Sequence, residues 1–180
     1  MNTIKRFLAV LMLASLPILS SAQNSLIRPR LEIAEVEVND GDKTLSVFKM
    51  ADESPIQYYL SVGKLGVGDD FIQLQIDPVS ELFIPLGESV SEVLEKLEMM
   101  KELYKGPADT SIEIPGCLSI AYPNDSLEPV TVTYRKVLLS NMLEFSIKRG
   151  EWTRATYIPK STFSSLITSA KFYGKLHPKE

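Results

Sequence analysis

The feature that most constrains the fold is the small number of helical patterns in a chain that otherwise alternates like β-strands. The first helical pattern covers residues 89–105 and begins with the capping box of Ser89 and Glu92. The second begins near Ser161 and is predicted to stop at Gly174. Two helices are too few to serve as the crossovers of a parallel sheet of about eight strands. The sequence therefore predicts an α+β fold with two amphipathic helices on antiparallel sheet.

Strand patterns fill the segments before each of the two helices. They show the period-two alternation of half-buried strands, or short apolar runs, and they are separated by residues typical of turns. The patterns lie at 31–38, 44–50, 56–62, 71–76 and 81–86 before the first helix, and at 111–122, 130–137, 142–148 and 152–158 before the second. Pro115-Gly116 interrupts the first strand of the second group.

The order of about four strands and a helix, followed by about four strands and a helix, raises the question of an internal repeat. The tripeptides at 83–85 and 157–159 each consist of an aromatic residue, Ile and Pro, and each precedes a predicted helix. Two interpretations stay open. Either two ββββα halves, 31–107 and 108–180, pack about a junction that forms a natural groove, or residues 23–180 form an ordinary α+β domain with one curved sheet.

Residues 1–22 have the three zones of a secretory signal peptide. Two basic residues, Lys5 and Arg6, precede an apolar run at 7–19, and small residues at 20 and 22 fit the cleavage rule. The run of 13 residues is shorter than the about 20 that span a bilayer as a helix. The expected product is exported, periplasmic or secreted, and has no stable membrane anchor after cleavage.

Charge is distributed unevenly along the remaining chain. Residues 23–107 contain 8 Lys plus Arg against 16 Asp plus Glu, whereas residues 108–180 contain 9 against 7. Loss of residues 1–22 takes the formal net charge from −4 to −6. One interpretation is that the first helix carries solvated glutamates, and the other is an acidic surface for a cationic partner. A nucleic-acid partner is not expected, because no basic patch dominates.

The single His and single Cys restrict the chemistry that the chain can perform. One Cys cannot form an intramolecular disulfide, and one His cannot form a multi-His metal site. A nucleophilic Cys117 would need a base. The single His, His177, lies in the C-terminal tail, and nothing in the sequence indicates that this tail approaches Cys117. No catalytic residue, metal site or cofactor is therefore predicted. Carboxylate catalysis needs no His, and Asp69, Asp70 and Asp77 form the cluster closest to that pattern.

Four residues are candidates for an interaction surface. Trp152 begins a strand after a turn, and Arg154, two residues on, shares its face. Tyr58 and Tyr59 point to opposite faces of their strand, so at least one is expected to face outward. The sequence predicts an exported, non-catalytic binding module for a protein or envelope component. The alternative is a small exported hydrolase that depends on carboxylates.

Overall fold

A computed structural model describes residues 30–38, 43–63, 81–119, 129–149 and 152–180 of the chain. The proposed signal peptide at 1–22 and the strand predicted at 71–76 lie outside these residues. The strands are β1 (Arg30–Val38), β2 (Lys43–Met50), β3 (Tyr58–Gly63), β4 (Glu81–Gly87), β5 (Ser111–Ile114), β6 (Leu118–Ser119), β7 (Val130–Val137), β8 (Ser140–Arg149) and β9 (Trp152–Pro159). The helices are α1 (Val90–Glu102), continued by a 3-10 turn over Leu103–Lys105, and α2 (Lys160–Leu176).

The described strands form two sheets, and all of their pairings are antiparallel. The first sheet has the order β1-β2-β3-β4-β6 and the second has the order β5-β7-β8-β9. The α+β class with antiparallel sheets and two helices is confirmed, whereas one curved sheet is not found. In the chain, β1 to β4 of the first sheet precede α1, and the four strands of the second sheet precede α2. This order fits two halves, but the duplication itself stays a prediction.

The break at Pro115-Gly116 divides two short strands between the sheets. Ser111–Ile114 pairs with β7 in the second sheet, and Leu118–Ser119 pairs with β4 in the first. Gly116 has a φ of +76°, a left-handed conformation that glycine adopts without steric cost. The chain therefore leaves one sheet at this break and enters the other.

The helices cover one continuous core with residues from both sheets. Ser89 caps α1, because its side chain accepts a hydrogen bond from the Glu92 amide at 3.3 Å. The Glu92 carboxylate accepts from the Glu88 amide at 2.7 Å, so the predicted capping box reaches one residue further back than the usual motif. The buried faces consist of Val90, Val93, Leu97 and Met100 in α1, and Phe163, Leu166, Ile167 and Ala170 in α2.

Gly174 does not end α2, which continues to Leu176. A Cβ atom at position 174 would lie 3.0 Å from Cγ1 of Val90, which is closer than most Cβ contacts. The prediction of a stop signal was wrong, because this glycine instead allows the last turns of α2 to approach the first turn of α1. This close approach forms one side of the candidate groove described below.

Candidate binding groove between the two helices

A groove of about 620 Å³ lies between the first turn of α1 and the last turns of α2. We call it the helix groove. Its volume falls within the range of small-molecule and peptide-side-chain pockets. Its lining residues are Val90, Ser91, Leu94, Lys171, Gly174, Lys175, His177, Pro178, Lys179 and Glu180.

Apolar groups from three elements contribute to the lining of the groove. Val90 and Leu94 come from α1, Gly174 comes from α2, and Pro178 comes from the segment that follows. A Cβ atom at Gly174 would also be 4.0 Å from Cδ1 of Leu94, so both α1 side chains lie close to this glycine. The site therefore depends on packing between residues that are about eighty positions apart in the chain.

Three lysines four residues apart also line the groove. Lys171 forms an ion pair with Glu98 of α1 at 2.6 Å, and this pair joins the two helices. Within the described part of the chain, Lys175 and Lys179 form no ion pair. Two cations that have no ion-pair partner among the described residues thus stand beside apolar walls, which favours an anionic ligand with an apolar portion.

The segment 177–180 is held against the core by the side chain of Glu180. Its Oε2 atom accepts hydrogen bonds from Lys49 Nζ at 2.7 Å, from the Tyr173 hydroxyl at 2.7 Å and from the Tyr58 hydroxyl at 3.2 Å. The backbone amide of Val90 donates to the main-chain oxygen of Glu180 at 3.1 Å. These contacts connect the segment to β2, β3, α1 and α2, and they fix one wall of the groove.

This arrangement shifts the pKa values of the groups that take part. Hydrogen bonds from Lys49 and Tyr173 lower the pKa of Glu180 from 4.5 to about 2. Burial, together with the hydrogen bond to Glu180, raises the pKa of Tyr173 to about 12. The pKa of Lys49 is raised, first by its hydrogen bond with Glu180. At neutral pH the Glu180 charge is therefore satisfied within the protein, and it neutralises Lys49 rather than Lys175 or Lys179.

An exposed apolar pair on α2 lies close in sequence to the lysines of the groove. Phe172 is 64% exposed and Leu176 is 61% exposed. Their spacing of four residues places them on one face of the helix. Large apolar side chains on a surface helix usually face the core, and this exposed pair is an exception. The pair therefore adds apolar surface that a partner can contact.

Tyr58 and Tyr59 point to opposite faces of β3, as predicted, but both are buried. Tyr58 is 1% exposed and belongs to the main core, where its hydroxyl reaches Glu180. Tyr59 is 6% exposed and belongs to a second cluster with Phe48, Met50 and Phe83 on the other face of the sheet. The expectation that at least one faces outward was wrong, because the first sheet carries apolar residues on both faces. Neither tyrosine lies on the surface as an interaction anchor.

Trp152 and Arg154 lie in β9, opposite Arg149 and Ile147 of β8. The structure describes the backbone at these two positions, and their side chains lie outside the described part. Their role in an interaction surface stays a prediction.

The structure separates the environments of Cys117 and His177. Cys117 is 1% exposed and its thiol donates to the Ile114 carbonyl at 3.3 Å. Burial raises the pKa of this thiol to about 11, so it is protonated at neutral pH. His177 lines the helix groove and stacks on Tyr173 with ring centroids 4.2 Å apart.

The acidic cluster behind the hydrolase alternative, Asp69, Asp70 and Asp77, lies outside the described residues. Among the residues that the structure describes, no group of three or more His, Cys, Asp or Glu is placed to hold a metal ion. Asp109 and Glu144 both form ion pairs with Arg135 on the second sheet. None of the described helices is long and apolar enough to cross a membrane.

One sequence pattern, the spacing of the lysines near the end of α2, could have indicated the groove. Lys171, Lys175 and Lys179 recur every four residues, and Phe172 and Leu176 share this spacing. Lysines near the C-terminal end of a helix also complement the helix dipole, so this spacing alone does not indicate a groove. What the sequence did not show is that α1 supplies the opposite wall. Comparison of the chain with family models, curated proteins and solved structures found no match.

Proposed function

We propose that this chain is an exported, non-catalytic binding module that holds an acidic segment of a partner protein in the helix groove. The observation that carries the proposal is a groove with an apolar lining and two lysines, Lys175 and Lys179, that form no ion pair with any described residue. Electrostatic complementarity and burial of an apolar anchor are the usual sources of specificity and affinity in such grooves.

A protein segment suits the groove because a peptide can carry an apolar side chain and a charged side chain on neighbouring residues. An apolar side chain can contact Val90 and Leu94, while a neighbouring Asp or Glu reaches Lys175 or Lys179. Phe172 and Leu176 provide further apolar contacts outside the groove. Helices that present such surfaces commonly bind peptide segments.

Local charge decides the sign of the partner. The first half of the chain is strongly acidic, but part of that charge is compensated internally, as the Glu98 pairs with Lys171 and Lys101 show. In the groove, Lys175 and Lys179 form no such pair within the part of the chain that the structure describes. A short acidic segment therefore experiences the lysines at close range, whereas a long polyanion also meets the negative charge of the whole protein.

Selection from random peptides displayed on phage tests the proposal. We expect enriched peptides to carry Asp or Glu next to a large apolar residue, and we expect the double variant Lys175→Glu/Lys179→Glu to lose them. The matched control is Lys136→Glu/Lys148→Glu, which reverses two exposed lysines on the second sheet. Enrichment of peptides without acidic residues, or equal binding by the groove variant and the wild type, would contradict the proposal.

Export has its own test. Mass spectrometry of the protein recovered outside the cytoplasm is expected to show an N-terminus at Gln23, after cleavage behind Ala22. A protein that still begins at Met1 contradicts this part of the proposal.

A further inference from the structure

Each of the two described sheets ends in two edge strands, and three of these four edges carry features that hinder the addition of a further strand. β1 contains a bulge between Glu32 and Ala34, carries several charges and packs against α2. β5 has four residues and β6 has two, and β4 beside β6 contains Pro85. The fourth edge, β9, is built differently.

β9 is a long and regular edge strand. All eight of its residues pair with β8 without a shift in register, and no other strand in the described part of the chain pairs with it. It contains one charged residue, Arg154, and no carboxylate. On the face turned away from the core, Thr153 is exposed and Tyr157 is 44% exposed. Such an edge presents a row of backbone donors and acceptors to an incoming strand.

The register of the β8–β9 hairpin decides which residues of β9 direct their backbone groups to this edge. Arg149 pairs with Trp152 across two intervening residues, so these two residues are hydrogen-bonded to each other. Hydrogen-bonded and non-hydrogen-bonded pairs alternate along an antiparallel ladder. The odd-numbered residues of β9 therefore direct their N–H and C=O groups away from β8. Pro159 belongs to this series, in which the strand loses no hydrogen bond to β8 through the missing N–H.

We propose that β9 pairs with β9 of a second copy of this chain, antiparallel about a twofold axis at Ala155. Pro159 ends the pairing, so residues 152–158 are available for it, and Ala155 is their midpoint. The backbone groups of Ala155 point to the edge, as a hydrogen-bonded pair on the axis requires, and the contact forms about six backbone hydrogen bonds. An isologous contact needs this symmetry, whereas a strand of an unrelated protein would not.

The same register brings compatible residues together across the axis. Thr153 lies opposite Tyr157 of the second copy on the outward face, and a β-branched residue beside an aromatic one stabilises a strand pair. Trp152 lies opposite Ile158 on the other face, and the two Arg154 residues are not opposite each other. Trp152 and Arg154 thereby obtain the place in an interaction surface that the sequence predicts for them. No residue of the helix groove takes part, so the inference stands independently of the proposed function.

Sedimentation velocity of the purified protein over a range of concentrations tests the inference. We expect a dimer for the wild type and a dissociation constant at least about tenfold higher for Ala155→Lys, because two lysines then meet at the axis. The matched control is Thr131→Lys, which lies in the same row and on the same face but within the sheet, and which is expected to dimerise like the wild type. Ala155→Pro removes an outward N–H and keeps the ladder to β8, so it is expected to be monomeric with an unchanged circular dichroism spectrum.

Disulfide cross-linking tests the register of the contact. Ala155→Cys places two thiols at the axis with Cα atoms about 5.5 Å apart, so mild oxidation is expected to give a covalent dimer while the buried Cys117 stays reduced. Thr153→Cys places its two thiols roughly 14 Å apart and is expected not to cross-link. A wild type that stays monomeric at every concentration overturns the inference. So does a dimer that Ala155→Lys and Ala155→Pro leave intact, or equal cross-linking of Thr153→Cys and Ala155→Cys.

Discussion

Replacement of Glu180 by Gln is expected to destabilise the protein at neutral pH, because one carboxylate oxygen accepts hydrogen bonds from Lys49, Tyr58 and Tyr173. In the folded protein the pKa of Glu180 is about 2 instead of 4.5. This shift corresponds to a contribution to the free energy of unfolding of at most about 3.4 kcal/mol. The Glu180 side chain is 35% exposed, so solvent screening reduces this contribution to about 1 kcal/mol.

The pH dependence gives this prediction its sign. A carboxylate with a lowered pKa in the folded state stabilises the protein fully above its unfolded pKa, near 4.5. The stabilisation disappears as the pH falls through about 2. The difference in the free energy of unfolding between wild type and Glu180→Gln should therefore be present at pH 7 and should close under acid conditions.

Urea denaturation followed by circular dichroism measures this difference at each pH. The control is Lys49→Met, alone and combined with Glu180→Gln, because a double-mutant cycle isolates the coupling between the two side chains. The reasoning is refuted if Glu180→Gln is as stable as the wild type at pH 7, or if its deficit persists unchanged below the folded pKa.

Three further predictions concern packing, backbone strain and thiol reactivity. Gly174→Val is expected to force α1 and α2 apart at Val90, which lowers the free energy of unfolding by about 1–3 kcal/mol and shifts the urea midpoint. Leu138→Gly is expected to stabilise the protein by about 1 kcal/mol, seen as a higher melting temperature, because it relieves the positive φ; an unchanged or lower value would argue against strain there. Cys117 is expected to react slowly with iodoacetamide at neutral pH and rapidly in urea, because the thiol is buried and its pKa is about 11; rapid reaction of the native protein contradicts this environment.

Local patterns in the sequence predicted the elements of this fold well. Ser89 and Glu92 located the start of α1, and Met100 is fully buried on the face that helical periodicity assigned to the core. Alternation located the described strands, because each sheet has a face packed against the core. These features depend on residues only a few positions apart, which is the range over which periodicity and capping act.

Features that depend on contacts between distant residues could not be predicted in this way. The burial of Tyr59 results from a second apolar cluster that includes Phe48 and Phe83 on neighbouring strands. Gly174 resembles a helix stop in sequence, and only the approach of Val90 shows its role in packing. The helix groove forms only where the two helices pack against each other. The sequence shows the spacing of its lysines in α2, but it does not show that Val90 and Leu94 of α1 lie opposite them.

The central claim, that the helix groove holds an acidic segment, is tested most directly by NMR titration of the 15N-labelled protein with a peptide from the phage selection. The predicted result is a set of chemical-shift changes concentrated at the backbone amides of Val90, Ser91, Leu94, Lys175 and Lys179. These changes should disappear when Asn or Gln replaces the acidic residues of the peptide. Changes that map instead to β9 around Trp152, or to the second sheet, would contradict the account.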